Sequence, residues 1–307
     1  MIAILRKELA DYFTSVRFVI LLILVIFVTA FGLVAASQGI RGANLPEGIV
    51  FLGLFTTPGK VLPPLTYLVM LMVPIIGIAL GFDAINSERT GGTLSRILAQ
   101  PVFRDSVING KFLAGVFTLS VMVGAMLTLV SGYGLIMIGV PPSAEEVIRI
   151  FIYLFFTIVY GAFWLGLAIL FSIVFRRAAA SLLFLLALWL ILSIFILPVA
   201  ASVANAIAPT AEGSAEELMR NAELQQMIAR LSPNILFQEA TRVLLVPSVR
   251  SLGMVSMSQV AYMIPNPLSL GQSILIVWPH LTSLVSLSAV CFAISYVLFM
   301  RQEIRAT

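Results

Sequence analysis

The apolar residues of this chain fall into six long blocks separated by short polar stretches, with little of the strict alternation that marks half-buried strands. A helix needs about 20 mostly apolar residues to cross the hydrocarbon core of a bilayer, and 18 without charge is already a candidate. The blocks run from Phe18 to Ala36, Leu65 to Phe82, Phe112 to Gly139, Ile150 to Phe175, Ala178 to about Ala206, and Ile274 to Met300. Only His280 interrupts them with a side chain of the Asp, Glu, Lys, Arg or His kind. A charge at the centre of a span would cost about 2.5–3.5 kcal/mol, so their absence is what lipid contact demands. The pattern predicts an all-α polytopic membrane protein of six transmembrane helices. Two weaker stretches are expected outside the bilayer core: Gly48 to Gly59 is too short, and Ser251 to Leu270 is broken by Pro265 and Pro267.

Between the blocks, local signals predict further helices. In the first sixteen residues Ile2, Leu5, Leu9, Tyr12, Phe13 and Val16 recur at helical spacing, with Arg6, Lys7, Glu8, Asp11 and Thr14 assigned to the opposite side. That suits a helix lying in the headgroup plane, or a plain extension of the first span. Gly77 and Gly81 form a small-residue pair that lets two helix backbones approach closely in lipid. Ser143-Ala144-Glu145-Glu146 reads as a capping box opening the fourth span. The chain thus divides into 1–206 with the first five spans, 207–273 as the one large segment between spans, and 274–307 with the last span and a short tail. In 207–273, Ser214-Ala215-Glu216-Glu217 caps a polar helix reaching about Arg230. Ser232-Pro233 opens a second helix with Ile235, Leu236, Ala240, Val243 and Leu244 on one side. Such a segment could be a lid, a docking surface or a packed loop.

Composition sharpens the class. Sixty per cent of residues are apolar and 10% charged, against about 45–50% and 25% in soluble domains. The mean hydropathy is +1.09. One cysteine and one histidine cannot supply a disulfide framework or the usual zinc, haem or iron–sulfur ligand sets. Basic residues near span ends set orientation. With the N-terminus inside, the inner segments hold Arg6, Lys7, Arg17, Arg89, Arg96, Arg104, Lys111, Arg176, Arg177, Arg301 and Arg305; the two short outer loops hold only Arg41, Lys60 and Arg149. Both termini are therefore expected in the cytoplasm, as in a multi-pass protein of the cell membrane, with 207–273 outside. The first block is nearer 19 residues than the 7–15 of a signal peptide, which favours a retained span.

Catalytic chemistry finds little purchase. A phosphate-binding loop needs G-x-x-x-x-G-K-[ST], but Lys60 is followed by Val61 and Lys111 by Phe112. His280 sits beside Trp278 and Pro279 at a span end, where a structural role is expected, and Asp83 has no obvious carboxylate partner for a proton-sharing dyad. Neither a cofactor nor a metal site, nor a nucleic-acid partner, is expected, and the chain does not read as an enzyme. Ion-driven transporters keep ionisable groups inside their spans as relays, and these spans carry none beyond His280. If the protein moves something, its energy enters elsewhere.

The loop 83–111 between spans two and three is the most specific stretch. Span two should continue inward to about Thr90, where Gly91-Gly92 releases the chain direction. Thr93 can cap a short helix with Leu94, Ile97 and Leu98 on one face; Pro101 stops it, and Asp105 can cap the helix that becomes span three. Held between two spans, this is a handle for a partner, or an interfacial loop resting on lipid. Glu88, Gly92-Thr93-Leu94, Pro101-Val102-Phe103-Arg104 and Gly110-Lys111 resemble the pattern of type-2 ABC exporter permeases, in which an acidic residue and Gly-Thr-Leu precede a short helix, followed by Pro-Val-x-Arg and Gly-Lys. The N-terminal Arg6-Lys7-Glu8-Leu9, the six spans and the long segment before the last span extend the likeness over nearly the whole chain. The loop also resembles the branch of the family associated with nitrous-oxide-reductase maturation, a likeness too general to name a cargo.

The resemblance implies a coupling helix seated in a cleft of a separate ATPase subunit that binds ATP and Mg. It implies two permease chains, identical or related, working with two ATPase chains in the lipid membrane. It implies that Glu88, Arg96, Arg104 and Lys111 are polar contacts, that Leu94, Ile97 and Leu98 are the seated face, and that Gly91, Gly92, Thr93 and Pro101 shape the loop. An ion-driven transporter or channel, or an assembly factor without transport, is the alternative reading.

Overall fold

Span two and span four touch backbone to backbone. A Cβ built on Gly77 would lie 2.9 Å from the Gly161 carbonyl oxygen and 3.0 Å from the Leu165 nitrogen; one on Gly81 would lie 2.7 Å from the Ala168 Cβ. The small-residue pair at Gly77 and Gly81 is thus the seam of the bundle, and Gly161 on span four answers it. Where no hydrophobic effect drives helices together, such close approach supplies the packing energy that holds them.

The computed structural model of the protein describes residues 1–40, 50–93, 103–139, 141–209, 215–252 and 267–301. An N-terminal helix, Ile2–Thr14, breaks at Ser15 and turns into span one, Val16–Ile40. Span two is Leu65–Gly81, followed by a short helix, Asn86–Thr90. Span three is Arg104–Ile138 and span four Ala144–Val174. Span five is Ala178–Leu190, a π-helical turn Ile191–Phe195, and Ile196–Ile207. Helices Ala215–Ala229 and Pro233–Leu245 precede span six, Leu270–Arg301. Among the described residues every regular element is helical, and six helices are long and apolar enough to cross a membrane. The chain is a multi-pass membrane protein.

The spans alternate in direction, so the N-terminal helix, the 82–93 segment and the start of span three share one end, here the N-terminal face. The other end, the distal face, carries Gly53–Thr56 and the two helices before span six. Spans two, three and four form the core around Val73, Ile76, Leu119, Trp164 and Leu165, all fully buried. Spans one, five and six lie outside it and expose rows of large apolar side chains such as Ile20, Ile23 and Phe27, Leu183 and Ile194, and Leu275 and Val290. Those rows are what a lipid-facing surface needs.

At span three and at the distal end the structure adds to the sequence reading and corrects one cap. Span three begins at Arg104, well before Phe112, so one helix runs from the loop to the distal face. Its N-cap is Phe103 with no side-chain cap; Asp105 lies in the first turn and accepts from the Ser106 N–H at 2.7 Å. The carboxylate still faces the positive end of the helix dipole. The stretch expected outside the bilayer core carries a short helix, Gly53–Thr56, with Phe51, Leu52, Leu54 and Phe55 buried as a plug at the distal end. Of Ser251 to Leu270, positions 253–266 lie outside the described residues, as does Ser214 of the second capping box.

The Ser143–Glu146 box forms in full, and Glu146 also accepts from the Phe51 N–H at 2.8 Å, pinning the plug to span four. Ser232 caps Pro233–Leu245, accepting from the Asn234 N–H. The apolar stripe Ile235, Leu236, Ala240, Val243 and Leu244 is buried, and Phe237 stacks on Tyr160 of span four at 4.5 Å between ring centres. This second helix is therefore part of the packed bundle.

The seam yields a paired test. Gly77→Ala places its methyl against backbone atoms that cannot move aside and should destabilise the solubilised protein by about 1–3 kcal/mol. Gly124→Ala, whose methyl would meet nothing within 4 Å, should leave stability unchanged or raise it by roughly 0.5–1 kcal/mol through helix propensity. Melting of the two variants in detergent checks the contrast.

Candidate functional site

The polar residues of the N-terminal face converge on one ammonium group. Lys111, about two turns into span three, is 3% exposed. Its Nζ donates to Glu8 Oε1 and Oε2, both at 3.0 Å, and to Glu88 Oε1 at 2.8 Å. Glu8 on the N-terminal helix and Glu88 on Asn86–Thr90 are 7% and 8% exposed. Lys7 reaches the same carboxylates from the surface, at 3.0 Å to Glu8 and 3.3 Å to Glu88. Burial alone would lower the pKa of the Lys7 ammonium; the charges of Glu8 and Glu88 outweigh it and raise it above the ordinary lysine value. At the exposed edge of this knot Lys7 also pairs with Asp11 at 3.2 Å, so three carboxylates surround two ammonium groups.

Glu8 therefore faces inward, although the sequence pattern assigns it to the polar side away from Leu5, Leu9 and Tyr12. The helix is amphipathic in an unusual sense. Its protein-facing side carries one carboxylate matched to Lys111, and Ile2 and Phe13 are its large apolar residues left exposed. Close packing makes the match possible: Gly110 sits under Ile4, with room for no Cβ there (2.8 Å to Ile4 Cγ2).

Span two ends in a cap built from the same helix. The last carbonyls of a helix lack intrahelical donors. Here the Tyr12 hydroxyl donates to Leu80 O at 2.9 Å and Arg17 Nη1 donates to Ala79 O at 3.1 Å. Arg17 also forms a two-pronged pair with Asp83, at 2.8 and 2.6 Å, which gives Asp83 the partner that its sequence neighbours do not reveal. Burial, with the nearby charges of Glu8 and Asp83, raises the Tyr12 phenol pKa well above its ordinary value. The next turn starts on span four: Ser172 Oγ accepts from the Ile85 and Asn86 N–H groups at 2.9 and 3.2 Å.

The chain then reaches the loop. Gly92 adopts φ +67°, a left-handed conformation that costs glycine nothing, and the direction changes there as the Gly91-Gly92 pair suggests. Thr93 Oγ1 donates back to the Glu88 carbonyl at 3.3 Å. Leu94, Arg96, Ile97, Leu98 and Pro101 lie outside the described residues. Gly91 and Thr93 are exposed, Arg104 opens span three, and Arg6 is exposed on the N-terminal helix. The structure thus brings together Lys7, Glu8, Glu88 and Lys111, with Glu88 and Lys111 turned onto an internal partner. Tyr12, Arg17, Asp83 and Ser172 were missed as members of the site. Arg17 and Asp83 do carry a signal, since both are charges at span ends on one face.

Between the N-terminal helix and the end of span two is an open cleft of about 830 Å³, bordered by Asp11, Arg17, Asp83, Glu88 and Thr93. Glu88 Oε2 and both side-chain polar atoms of Asn86 are buried without a hydrogen-bond partner among the described residues. Such groups cost about 1–3 kcal/mol each while unpaired, and they concentrate at the root of the loop.

The distal face has its own polar hubs. Arg149 of span four, fully buried, donates to Glu145, to the carbonyls of Leu244 and Leu268 and to Ser273 Oγ at 2.7–3.0 Å. Sequence pattern treats it as a loop charge; it is the clamp between spans four and six and Pro233–Leu245. His280 is likewise spent on structure, with Nε2 2.7 Å from Glu239 Oε2. Burial would raise the Glu239 pKa, but hydrogen bonds from His280 and Arg230 and the charge of Arg230 hold it below the ordinary carboxylate value. Among the described residues no three His, Cys, Asp or Glu side chains group to hold a metal.

These features define a multi-pass helical membrane protein with a buried charge cluster where spans two and three meet the N-terminal helix. The sequence matches the ABC-2 family transporter protein family over residues 2–304, and the chain belongs to that family. It is 30% identical over 187 residues, 58% of this chain and 58% of the relative, to the "Probable ABC transporter permease protein NosY" of Pseudomonas aeruginosa. A protein of the same name from Stutzerimonas stutzeri is 31% identical over 126 residues, 39% of this chain and 41% of the relative. The matches thus span about half the length of these curated relatives.

Two outcomes follow from the charge geometry. Lys111→Met strands two buried carboxylates and should destabilise the protein by about 3–5 kcal/mol; adding Glu8→Gln should restore part of that loss, read as melting of single and double variants. Because the Glu239 pKa is depressed, its contribution to stability is present above the ordinary glutamate pKa and lost as pH falls through the lowered one. Glu239→Gln should therefore flatten the fall in melting temperature between about pH 5 and pH 3.

Proposed function

We propose that this ABC transporter permease subunit works as an ATP-driven exporter, with its N-terminal face in the cytoplasm and its energy supplied by a separate ATPase subunit seated on the loop 94–102. Two permease chains, identical or related, and two ATPase chains make the working unit. The observation that carries the reading is the knot of Glu8, Glu88 and Lys111 at the root of that loop. It joins the N-terminal helix, the end of span two and the start of span three into one block, so a push on the loop moves spans instead of being absorbed by slack. The ABC-2 family match, the NosY permease names and the excess of basic residues on this face support the same assignment. So does the scarcity of ionisable groups inside the spans, which removes the usual relay for an ion-driven mechanism.

In this mechanism Leu94, Ile97 and Leu98 seat in a cleft of the ATPase, with Arg96 and Arg104 as polar contacts at its rim. Glu88 and Lys111 act behind the contact, as the brace that transmits displacement to spans two and three. ATP and Mg are bound by the partner; the permease contributes rigidity and a change of tilt.

The experiment is affinity purification from membranes with identification of the subunits that follow the permease. A P-loop ATPase should co-purify with the wild-type chain. Leu94→Asp combined with Ile97→Asp should abolish that co-purification while leaving membrane insertion intact; an unchanged yield of ATPase removes the loop from the coupling role.

A further inference from the structure

The distal face carries a cavity for which the transport reading has no use. It lies between the start of span two and the helix Pro233–Leu245, has a volume of about 360 Å³ and opens to the surface. That volume falls within the range of small-molecule pockets, roughly 300–1,000 Å³. Its floor is apolar, with Pro63, Phe237 and Val246, and its polar wall is Gln238, Thr241 and Arg242. Among the described residues no acidic side chain lines it.

Two independent observations mark it as a site for a ligand. First, Thr241 is 4% exposed and its hydroxyl is buried with no hydrogen-bond partner. Helical threonines usually settle their hydroxyl on the carbonyl four residues back; Thr29, Thr118 and Thr157 do so in this molecule at 2.6–2.8 Å. Thr241, which borders the cavity, does not, and its hydroxyl has no hydrogen-bond partner among the described residues. Second, Arg242 stands exposed beside it and forms no ion pair among the described residues. The one carboxylate close in sequence, Glu239, is already engaged by Arg230, Gln226 and His280. The position of Arg242 in the last helical turn suits the helix dipole, but the dipole leaves the guanidinium donors unfilled.

We infer that this cavity binds the anionic head of a small amphiphile, a phosphate or carboxylate on an apolar body. Arg242 supplies the charge and a fork of donors that matches such a group. The Thr241 hydroxyl and the Gln238 amide donate from the wall, and the apolar floor takes the adjoining carbon chain. The head comes from a bilayer phospholipid or from a free amphiphilic anion; the chemistry that recognises it is the same.

The test uses the full chain, solubilised in a non-ionic detergent and stripped of lipid, and reads bound adducts by native mass spectrometry. The probes are octyl phosphate, dioctanoyl phosphatidylglycerol and, as the uncharged control, octanol. The wild type should bind at least one of the two anions saturably and the alcohol not at all. Arg242→Gln should weaken anion binding on the order of tenfold, as expected for a charge-assisted hydrogen bond. Arg242→Lys should recover part of it. Thr241→Val should weaken it too, while the unliganded chain melts no lower than wild type, because the variant removes an unsatisfied buried hydroxyl. Binding of octyl phosphate assigns the site to single-chain anions generally, and binding confined to phosphatidylglycerol assigns it to a membrane lipid. No saturable anion adduct, or equal adducts in the wild type, Arg242→Gln and Thr241→Val, overturns the inference.

Discussion

An ammonium group at 3% exposure between two carboxylates is a state that water would not permit and that a folded protein tolerates only when every charge is matched. Removing one ion from water costs several kcal/mol even after relaxation, and the mutual attraction repays this only with good geometry. Lys111, Glu8 and Glu88 meet that condition at 2.8–3.0 Å. Each comes from a different element, so the charge match is also a positional constraint. The N-terminal helix cannot lift, span two's end cannot swing and span three's start cannot rotate without exposing an unpaired charge. The mechanical properties of the N-terminal face follow from that single requirement, and so does the reading of the loop as a lever.

The same accounting governs the backbone. In a bundle surrounded by lipid, a carbonyl that loses its helical donor has to find another within the protein. Pro74 in span two has no N–H to offer the Met70 carbonyl, and the Tyr160 hydroxyl of span four meets that oxygen at 3.0 Å. The π-helical turn in span five is answered from outside the span: the Ser232 hydroxyl donates to the Leu192 carbonyl at 2.7 Å, and Asn234 bonds to Ser193 and to Tyr160. Arg149 and Arg17 treat the ends of other helices in the same way. Irregular backbone in this protein sits where a side chain from a neighbouring helix can reach it. Pro233–Leu245 is buried for this reason as well as for its apolar stripe.

Much of this architecture could be read from the chain. Six spans were legible because lipid enforces length and freedom from charge on each one separately. The capping box at Ser143 and Glu146, the cap at Ser232, the direction change at Gly92 and the close seam at Gly77 and Gly81 were legible because each depends on neighbours within a few residues or on size alone. The face of the N-terminal helix was misjudged at Glu8, because periodicity sorts residues by polarity and cannot show that a carboxylate has a buried ammonium waiting for it. Asp105 was misplaced by two positions because Asp is nearly as favourable within a first turn as at the cap. Arg149 looked like a loop charge because its acceptors are carbonyls more than ninety residues away.

The chain alone therefore determined the class: a membrane-embedded, all-helical protein of six spans. Hydrophobic length, missing charges and local caps are properties of contiguous residues, and contiguous residues are what a sequence displays. Only the tertiary structure decided which charges pair, that Lys111 is a keystone turned away from the surface, that Thr241 and Arg242 border one cavity without a partner among the described residues, and that span four is the hub. Pairing and burial depend on distances between residues far apart in the chain, and those distances exist only once the helices have packed.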